Sequence, residues 1–207
     1  MDQVDDGVFY SLERKVTHLE SGAIEALRSS YGRLLAPHAV VLDLMSSWRS
    51  HLPVGLGHVT GLGMNAAEMA DNPQLHDSVV HDLNQQPILP FADQSFDAVV
   101  CSASVQYLIH PVAVFADVVR TLRPGGVMAV AFSNRCFFTK AVRVWLEGSD
   151  TDHRALVRGY LLAAGFKTIV DAQVPSPDDP LFLVTGVRPN AVSGWAGVPS
   201  GDGRHPG

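Results

Sequence analysis

Two carboxylates in this chain stand where a bound molecule could meet them. Asp43 interrupts the apolar run Val40-Val41-Leu42-Asp43-Leu44, and Asp82 lies near the end of Ser78-Val79-Val80-His81-Asp82-Leu83. An ionised carboxylate only accepts hydrogen bonds, so each suits a ligand hydroxyl or amine. After Asp43 come Met45, Ser46, Ser47, Trp48 and Arg49. Ser46 and Ser47 are small, and their hydroxyls fit a ligand carboxylate or amine. Met45 suits the core, and Trp48 suits equally a plug in the core or a surface on which a ring could lie. His76 and His81 beside Asp77 and Asp82 raise the question of a metal, but their five-residue spacing matches no tight zinc signature, and no metal is expected. Cys101, inside an apolar run, reads as structural, whereas Cys136 is placed for somewhat greater reactivity.

The elements that must position these groups follow from periodicity. Ile24, Leu27, Tyr31, Leu34 and Leu35 fall on one helix face that Pro37 closes. Residues 40–45, 58–65, 78–83 and 96–102 read as strands, with a short helix over 66–70. Pro111 opens a helix with Val114, Phe115, Val118, Val119 and Leu122 on one face; Pro124-Gly125-Gly126 stops it and a strand follows over 127–132. Helices are expected over 134–146 and 152–164, and strands over 166–174 and 181–187. Alternating strands and helices imply an α/β sandwich whose mostly parallel sheet is covered on both faces. Ligands of such sheets bind beyond the carboxyl ends of the strands. That directs attention to the residues after Asp43, Asn65, Asp82 and Ser102.

Composition narrows the function. The 207 residues are 46% hydrophobic and 17% charged, with a net charge of −6. No basic run is present, which argues against nucleic acid as a partner. The acidic N-terminus has no apolar core of a signal peptide, and no apolar run is long enough to span a membrane. Cytoplasmic placement is therefore the expectation.

Asp82, then Leu89-Pro90-Phe91, Ser95-Phe96-Asp97-Ala98-Val99 and Leu122-Arg123-Pro124-Gly125-Gly126 form a specific set. Together with Leu161-Leu162-Ala163-Ala164-Gly165-Phe166, the set resembles the class I S-adenosylmethionine-dependent methyltransferases, closest to the small-molecule enzymes around ubiquinone and menaquinone biosynthesis. The resemblance spans residues 38–188 as a methyltransferase domain, leaving 1–37 as an N-terminal helical cover and 189–207 as a flexible Gly/Pro-rich tail. It implies a three-layer Rossmann-like sandwich with a seven-stranded sheet in the order 3-2-1-4-5-7-6, the last strand antiparallel. It further implies that Asp82 takes the adenine amino group of S-adenosyl-L-methionine and that the Leu83 amide meets the ring.

Two departures stand out. The glycine-rich loop usual after the first strand is here Met45-Ser46-Ser47-Trp48, and the acidic residue usual at the end of the second strand falls at Gly63. A similar Ser-Ser-Trp loop followed by His-Leu-Pro marks one bacterial and plant branch, which favours a rebuilt loop over a lost one. Asn65 is a candidate to replace the missing acid. The cofactor-binding set expected is thus Asp43, Met45, Ser46, Ser47, Trp48, Gly63, Asn65, Asp82, Leu83 and Ser102. Tyr107, Asn134 and Arg135 are expected toward the substrate, a small organic acceptor, and Tyr107 or His18 is the candidate proton acceptor. A non-catalytic domain of this fold, acting as a partner or regulator, is the alternative. A nicotinamide oxidoreductase is disfavoured because no G-x-G-x-x-G follows the first strand.

Overall fold

A computed structural model describes residues 6–190. Helices α1 (Asp6–Tyr10) and α2 (Ser21–Leu34) precede the strands β1 (Val40–Leu44) and β2 (His58–Gly63). Then come α3 (Ala66–Ala70), β3 (Asp77–Val80), β4 (Phe96–Ser102), α4 (Pro111–Thr121) and β5 (Leu122–Phe132). The chain closes with α5 (Arg143–Leu146), α6 (Asp150–Ala163), β6 (Lys167–Val174) and β7 (Leu181–Val187). The sheet has seven strands in the order β3-β2-β1-β4-β5-β7-β6, the order implied by the resemblance. β7 runs antiparallel to both β5 and β6, and the other pairings are parallel.

Alternation along the central strands separates two cores. Leu42, Leu44, Val99, Cys101, Met128, Val130 and Phe132 pack with Val114, Phe115 and Val118 of α4 and with Val157 and Leu161 of α6. Their neighbours Val41, Ala98, Val100, Ala129 and Ala131 face Ala23, Leu27 and Tyr31 of α2. Side chains alternate across a strand, so each strand must be apolar on both faces once helices cover both.

The residues carrying the family resemblance bind the frame together. Arg120 of α4 grips Asp117 through two nitrogens (2.7 and 2.8 Å) and donates to the carbonyls of Leu89 and Phe91. The Leu89 N–H in turn donates to Asp117 at 2.7 Å, so Leu89-Pro90-Phe91 is clamped onto α4. Asp97 joins three strand starts: it accepts from the Val40 N–H at 2.8 Å and pairs with Arg123 at 2.6 Å. Gly126 sits so close beneath that a Cβ there would lie 2.8 Å from the Arg123 carbonyl oxygen.

The structure corrects the sequence reading in four places, the first being β2, which ends at Gly63 rather than residue 65 because Asn65 caps α3. β3 ends at Val80, short of the strand expected to reach residue 83. β5 begins at Leu122, ahead of the Pro-Gly-Gly that the sequence reads as a stop. Residues 134–142 are not helical; only Arg143–Leu146 forms a turn of helix there. A single turn closes on the Phe137 carbonyl, and beyond it tertiary contacts order this stretch: the Phe137 N–H donates to the Tyr107 hydroxyl at 2.8 Å, the Val142 N–H donates to the Gln106 carbonyl at 2.9 Å, and Ala141 is fully buried.

Arg120→Ala should cost about 2–3 kcal/mol, because Asp117 is left buried without its cation and two carbonyls lose a donor. Urea unfolding measures it, and a change below about 0.5 kcal/mol would show the clamp to be idle.

Candidate functional site

A cavity opens beyond the carboxyl ends of β1, β2, β3 and β4. Each of the ten positions expected around a cofactor lines it: Asp43, Met45, Ser46, Ser47, Trp48, Gly63, Asn65, Asp82, Leu83 and Ser102. Tyr107 and His18 line it too. Asn134 and Arg135 do not. Arg135 instead pairs with Glu20 at 2.9 Å and Asp179 at 2.7 Å, tying the loop after β5 to the start of α2.

The loop after β1 explains its own composition. Met45 stands where the resemblance expects the first glycine, and its backbone is left-handed, with φ of 60°. This turn lets the Ser46 N–H donate to the Leu62 carbonyl at 2.8 Å. It also carries the Ser46 carbonyl against the end of β2, where a Cβ on Gly63 would lie only 2.2 Å from that oxygen. No acidic side chain can occupy position 63 beneath this loop. Asp43, 3% exposed, accepts from the hydroxyls of Ser46 (2.6 Å) and Ser50 (2.7 Å). Burial pushes its pKa up to about 6 while those hydroxyls hold it down.

The loop's hydroxyls therefore serve the loop. Ser47 likewise donates to Glu68 at 2.5 Å, and Asn72 ties the Ser47 carbonyl and the Ser50 hydroxyl together at 2.8 Å each. Asn65 is equally committed: its oxygen caps α3 at the Glu68 N–H (3.0 Å) and its amide donates to the Tyr10 carbonyl (2.9 Å). Asp82 accepts from the backbone of Asn84 (2.9 Å) and Gln85 (3.3 Å) and from the Gln85 side chain (2.8 Å). The Ser102 hydroxyl shares a hydrogen bond with Tyr31 of α2 at 2.8 Å.

Three contributors are absent from the sequence reading. The first is the strap that carries His18: of residues 12–17, which the sequence reading left out, all but Glu13 line the cavity with it. The Trp48 indole donates to the Val16 carbonyl at 3.0 Å, so this ring fastens the strap. The second is Glu68, whose carboxylate accepts from the Arg14 N–H at 2.6 Å as well as from Ser47. Its spacing from Asn65 reads as a helix start, which hides it among capping residues. The third is His51, buried with φ of 54°; its burial, with the charges of Arg28 and Arg49, pushes its pKa down to about 4.

Among the described residues no group of three or more His, Cys, Asp or Glu is placed to hold a metal, and no helix is long and apolar enough to cross a membrane. Residues 49–130 match the family model described as a methyltransferase domain. Demethylmenaquinone methyltransferases from Parafrankia and Mycobacterium are each 33% identical, over 48% of this chain and 34% and 38% of theirs. This chain thus aligns with little more than a third of those relatives' length. A chain in the Haloferax volcanii complex of the Trm112 methyltransferase activator and its methyltransferase superposes with a TM-score of 0.62 at 18% identity, covering 82% of this chain and 91% of its own. An S-adenosylmethionine-dependent methyltransferase from Mesorhizobium loti gives 0.57 at 17%, covering 79% and 98%. The [4+2]-cyclase SpnF gives 0.58 at 15%, covering 81% and 82%. The fold is the methyltransferase fold. Within it, Met45 and Gly63 are sterically coupled, since the loop turned by the first covers the second.

Left-handed backbone costs an L-residue roughly 1–2 kcal/mol. Met45→Ala keeps that cost and loses packing, whereas Met45→Gly loses the packing and relieves the strain. The glycine variant should be the more stable by about 1 kcal/mol in thermal or urea unfolding. The reverse order would mean that position 45 is unstrained.

His51 and Asp43 oppose each other with pH. The folded chain holds the Asp43 proton more tightly than the unfolded chain, so that contribution is present below about pH 4 and lost as pH rises through about 6. For His51 the unfolded chain binds the proton more tightly, so stability falls as pH drops from 6.5 toward about 4. His51→Asn, which tolerates the same backbone, should remove up to about 3 kcal/mol of that acid loss relative to the parent. Identical stability–pH curves would show that His51 titrates alike in both states.

Proposed function

We propose that this protein transfers the methyl group of S-adenosyl-L-methionine to a small organic acceptor. The observation that carries the reading is the cavity at the carboxyl ends of β1–β4, lined by three acids, Asp43, Glu68 and Asp82, on a methyltransferase fold. Acids in this number suit a ligand with hydroxyl, amine and sulfonium groups and oppose a pyrophosphate. The lining cations are engaged elsewhere: Lys15 pairs with Asp71, Arg14 lies over Phe9 and Arg49 over Trp48. The match of residues 49–130 to a methyltransferase domain supports the same cofactor.

Methyl transfer from a sulfonium is an in-line displacement that depends on alignment and water exclusion. The strap, with Leu108 and Phe137, gives the cavity walls that exclude water. Burial pushes the Tyr107 phenol up to about 12, so at neutral pH it remains protonated and donates to an acceptor. Burial holds His18 below its ordinary value, so its ring is neutral and able to take a proton. Where the acceptor must lose a proton, His18 is the group for it. The acidic chain and the aromatic wall of Tyr107, Phe137 and His18 favour a small organic molecule over nucleic acid.

S-adenosylhomocysteine should bind in the micromolar range, about −7 to −8 kcal/mol by calorimetry. Asp82→Ala should weaken it by roughly 1.5–3 kcal/mol through loss of a charged acceptor. A folded protein giving neither heat nor thermal shift at millimolar ligand would instead favour a non-catalytic partner or regulator.

A further inference from the structure

We infer that His51 receives a carboxylate of the bound ligand in the cavity wall, an assignment that rests on the cofactor reading above. The residue lines the cavity although it is only 7% exposed. Neither ring nitrogen finds a hydrogen-bond partner among the described residues. A neutral imidazole carries one N–H donor and one acceptor, and burying either unpaired is unfavourable. A polar group left open in a cavity wall is one that a ligand can satisfy. The backbone holds the ring in place. Ser50 is anchored by its hydroxyl on Asp43 at 2.7 Å. Leu52 is anchored by the Gln74 side chain, which takes its N–H at 3.3 Å and its carbonyl at 2.7 Å. His51 turns between these anchors with φ of 54°, a backbone that persists where the surroundings enforce it.

Charge decides what the ring takes. Arg28 of α2 and Arg49 of its own loop act on His51, and no carboxylate of the wall offsets them. Arg28 pairs with Glu25 at 2.8 Å on the exposed side of α2. Arg49 lies over Trp48, 4.6 Å from the ring centroid, and meets no carboxylate among the described residues. Stacking uses the face of a guanidinium and leaves its N–H edge open to an anion. The acids of the wall have their own partners: Asp43 beneath Ser46 and Ser50, Glu68 with Arg14 and Ser47, Asp82 with Asn84 and Gln85. His51 thus offers an N–H in a buried wall under positive charge, where a single carboxylate is favoured. Two sources supply that group: the amino-acid end of S-adenosyl-L-methionine, or an acceptor that is itself a carboxylic acid.

The test titrates S-adenosylhomocysteine and its decarboxylated analogue into the parent and into His51→Gly, a change that suits the left-handed backbone. NMR of the imidazole ring follows the same titrations on the parent, so the outcome does not hang on the variant's folding. Burial and the two arginines hold the His51 pKa down to about 4 in the free protein, and a bound carboxylate should raise it. Where the carboxylate is the cofactor's, the parent should prefer S-adenosylhomocysteine by roughly tenfold or more. His51→Gly should then narrow that preference to within about twofold, and S-adenosylhomocysteine alone should raise the pKa. Where it is the acceptor's, the two nucleosides should bind alike, and benzoate added to the S-adenosylhomocysteine complex should raise the pKa instead. A parent that binds both nucleosides alike, with a ring silent to them and to benzoate, overturns the inference and leaves the cofactor reading standing. A preference that survives intact in His51→Gly overturns it too, because another group then holds the carboxylate. A folded parent that binds neither nucleoside would remove the cofactor reading, and this inference with it.

Discussion

The arrangement around the cavity depends on one close backbone approach, the Ser46 carbonyl laid against Gly63. A Cβ at 63 would come within 2.2 Å of that oxygen and 3.1 Å of the Met69 sulfur. The approach is possible because Met45 turns through a left-handed conformation and Ser46 then hydrogen-bonds the Leu62 carbonyl. Gly61, one alternation back along β2, faces the same loop: a Cβ there would lie 3.2 Å from the Ser46 hydroxyl oxygen and closer still to Leu75. Space that glycines usually provide in the loop is here provided by glycines in the strand beneath it. The loop can carry side chains because the strand beneath it has none at positions 61 and 63.

That exchange has an electrostatic consequence. A loop with side chains covers Asp43, and a covered carboxylate must be satisfied from within. Ser46 and Ser50 supply the hydroxyls, and Asn72 braces Ser50 and the Ser47 carbonyl in turn. The serines that look like ligand donors in the sequence are thus internal partners of a buried acid and of Glu68. Polar groups farther out, on α3, on the turn after β3 and on the strap, also line the cavity. The strap is fastened at the same points, with Trp48 holding Val16 and Glu68 holding Arg14.

Much of the frame was legible in the sequence because its signals are local. The strands Phe96–Ser102 and Leu181–Val187 and the helices Ala66–Ala70 and Pro111–Thr121 carry their periodicity and their stops on their own residues. Residues 134–142 were misread because their apolar side chains are spaced by contacts with Tyr107 and the core, which mimic a helix face. The site was legible only in outline. Carboxylates at strand ends mark the ligand edge, but left-handed backbone at Met45, His51 and Ala103 leaves no trace when the residue is not glycine. Nor does a strap announce itself: backbone groups at Val16 and Arg14, and at Tyr10 of the preceding α1, make its contacts with the cavity wall.

The residues that carry the family resemblance and those that line the cavity are largely different sets. Leu89, Asp97, Arg123 and Gly126 lock strand starts and α4, at the end of the sheet away from the ligand edge. They specify a frame and leave the chemistry open, which fits a fold shared with a [4+2]-cyclase as well as with methyltransferases. The functional information therefore sits in the departures. Met45, Ser46 and Gly63 are sterically bound to one another, so a side chain at 63 or a different turn at 45 would bring the loop a clash or a cavity. Its hydrogen bonds also close on themselves at Asp43 and Glu68, with donors and acceptors matched in a buried setting. Buried polar groups that find their partners within the loop and its neighbours hold it in one arrangement, so the fold itself sets the cavity wall that the loop forms.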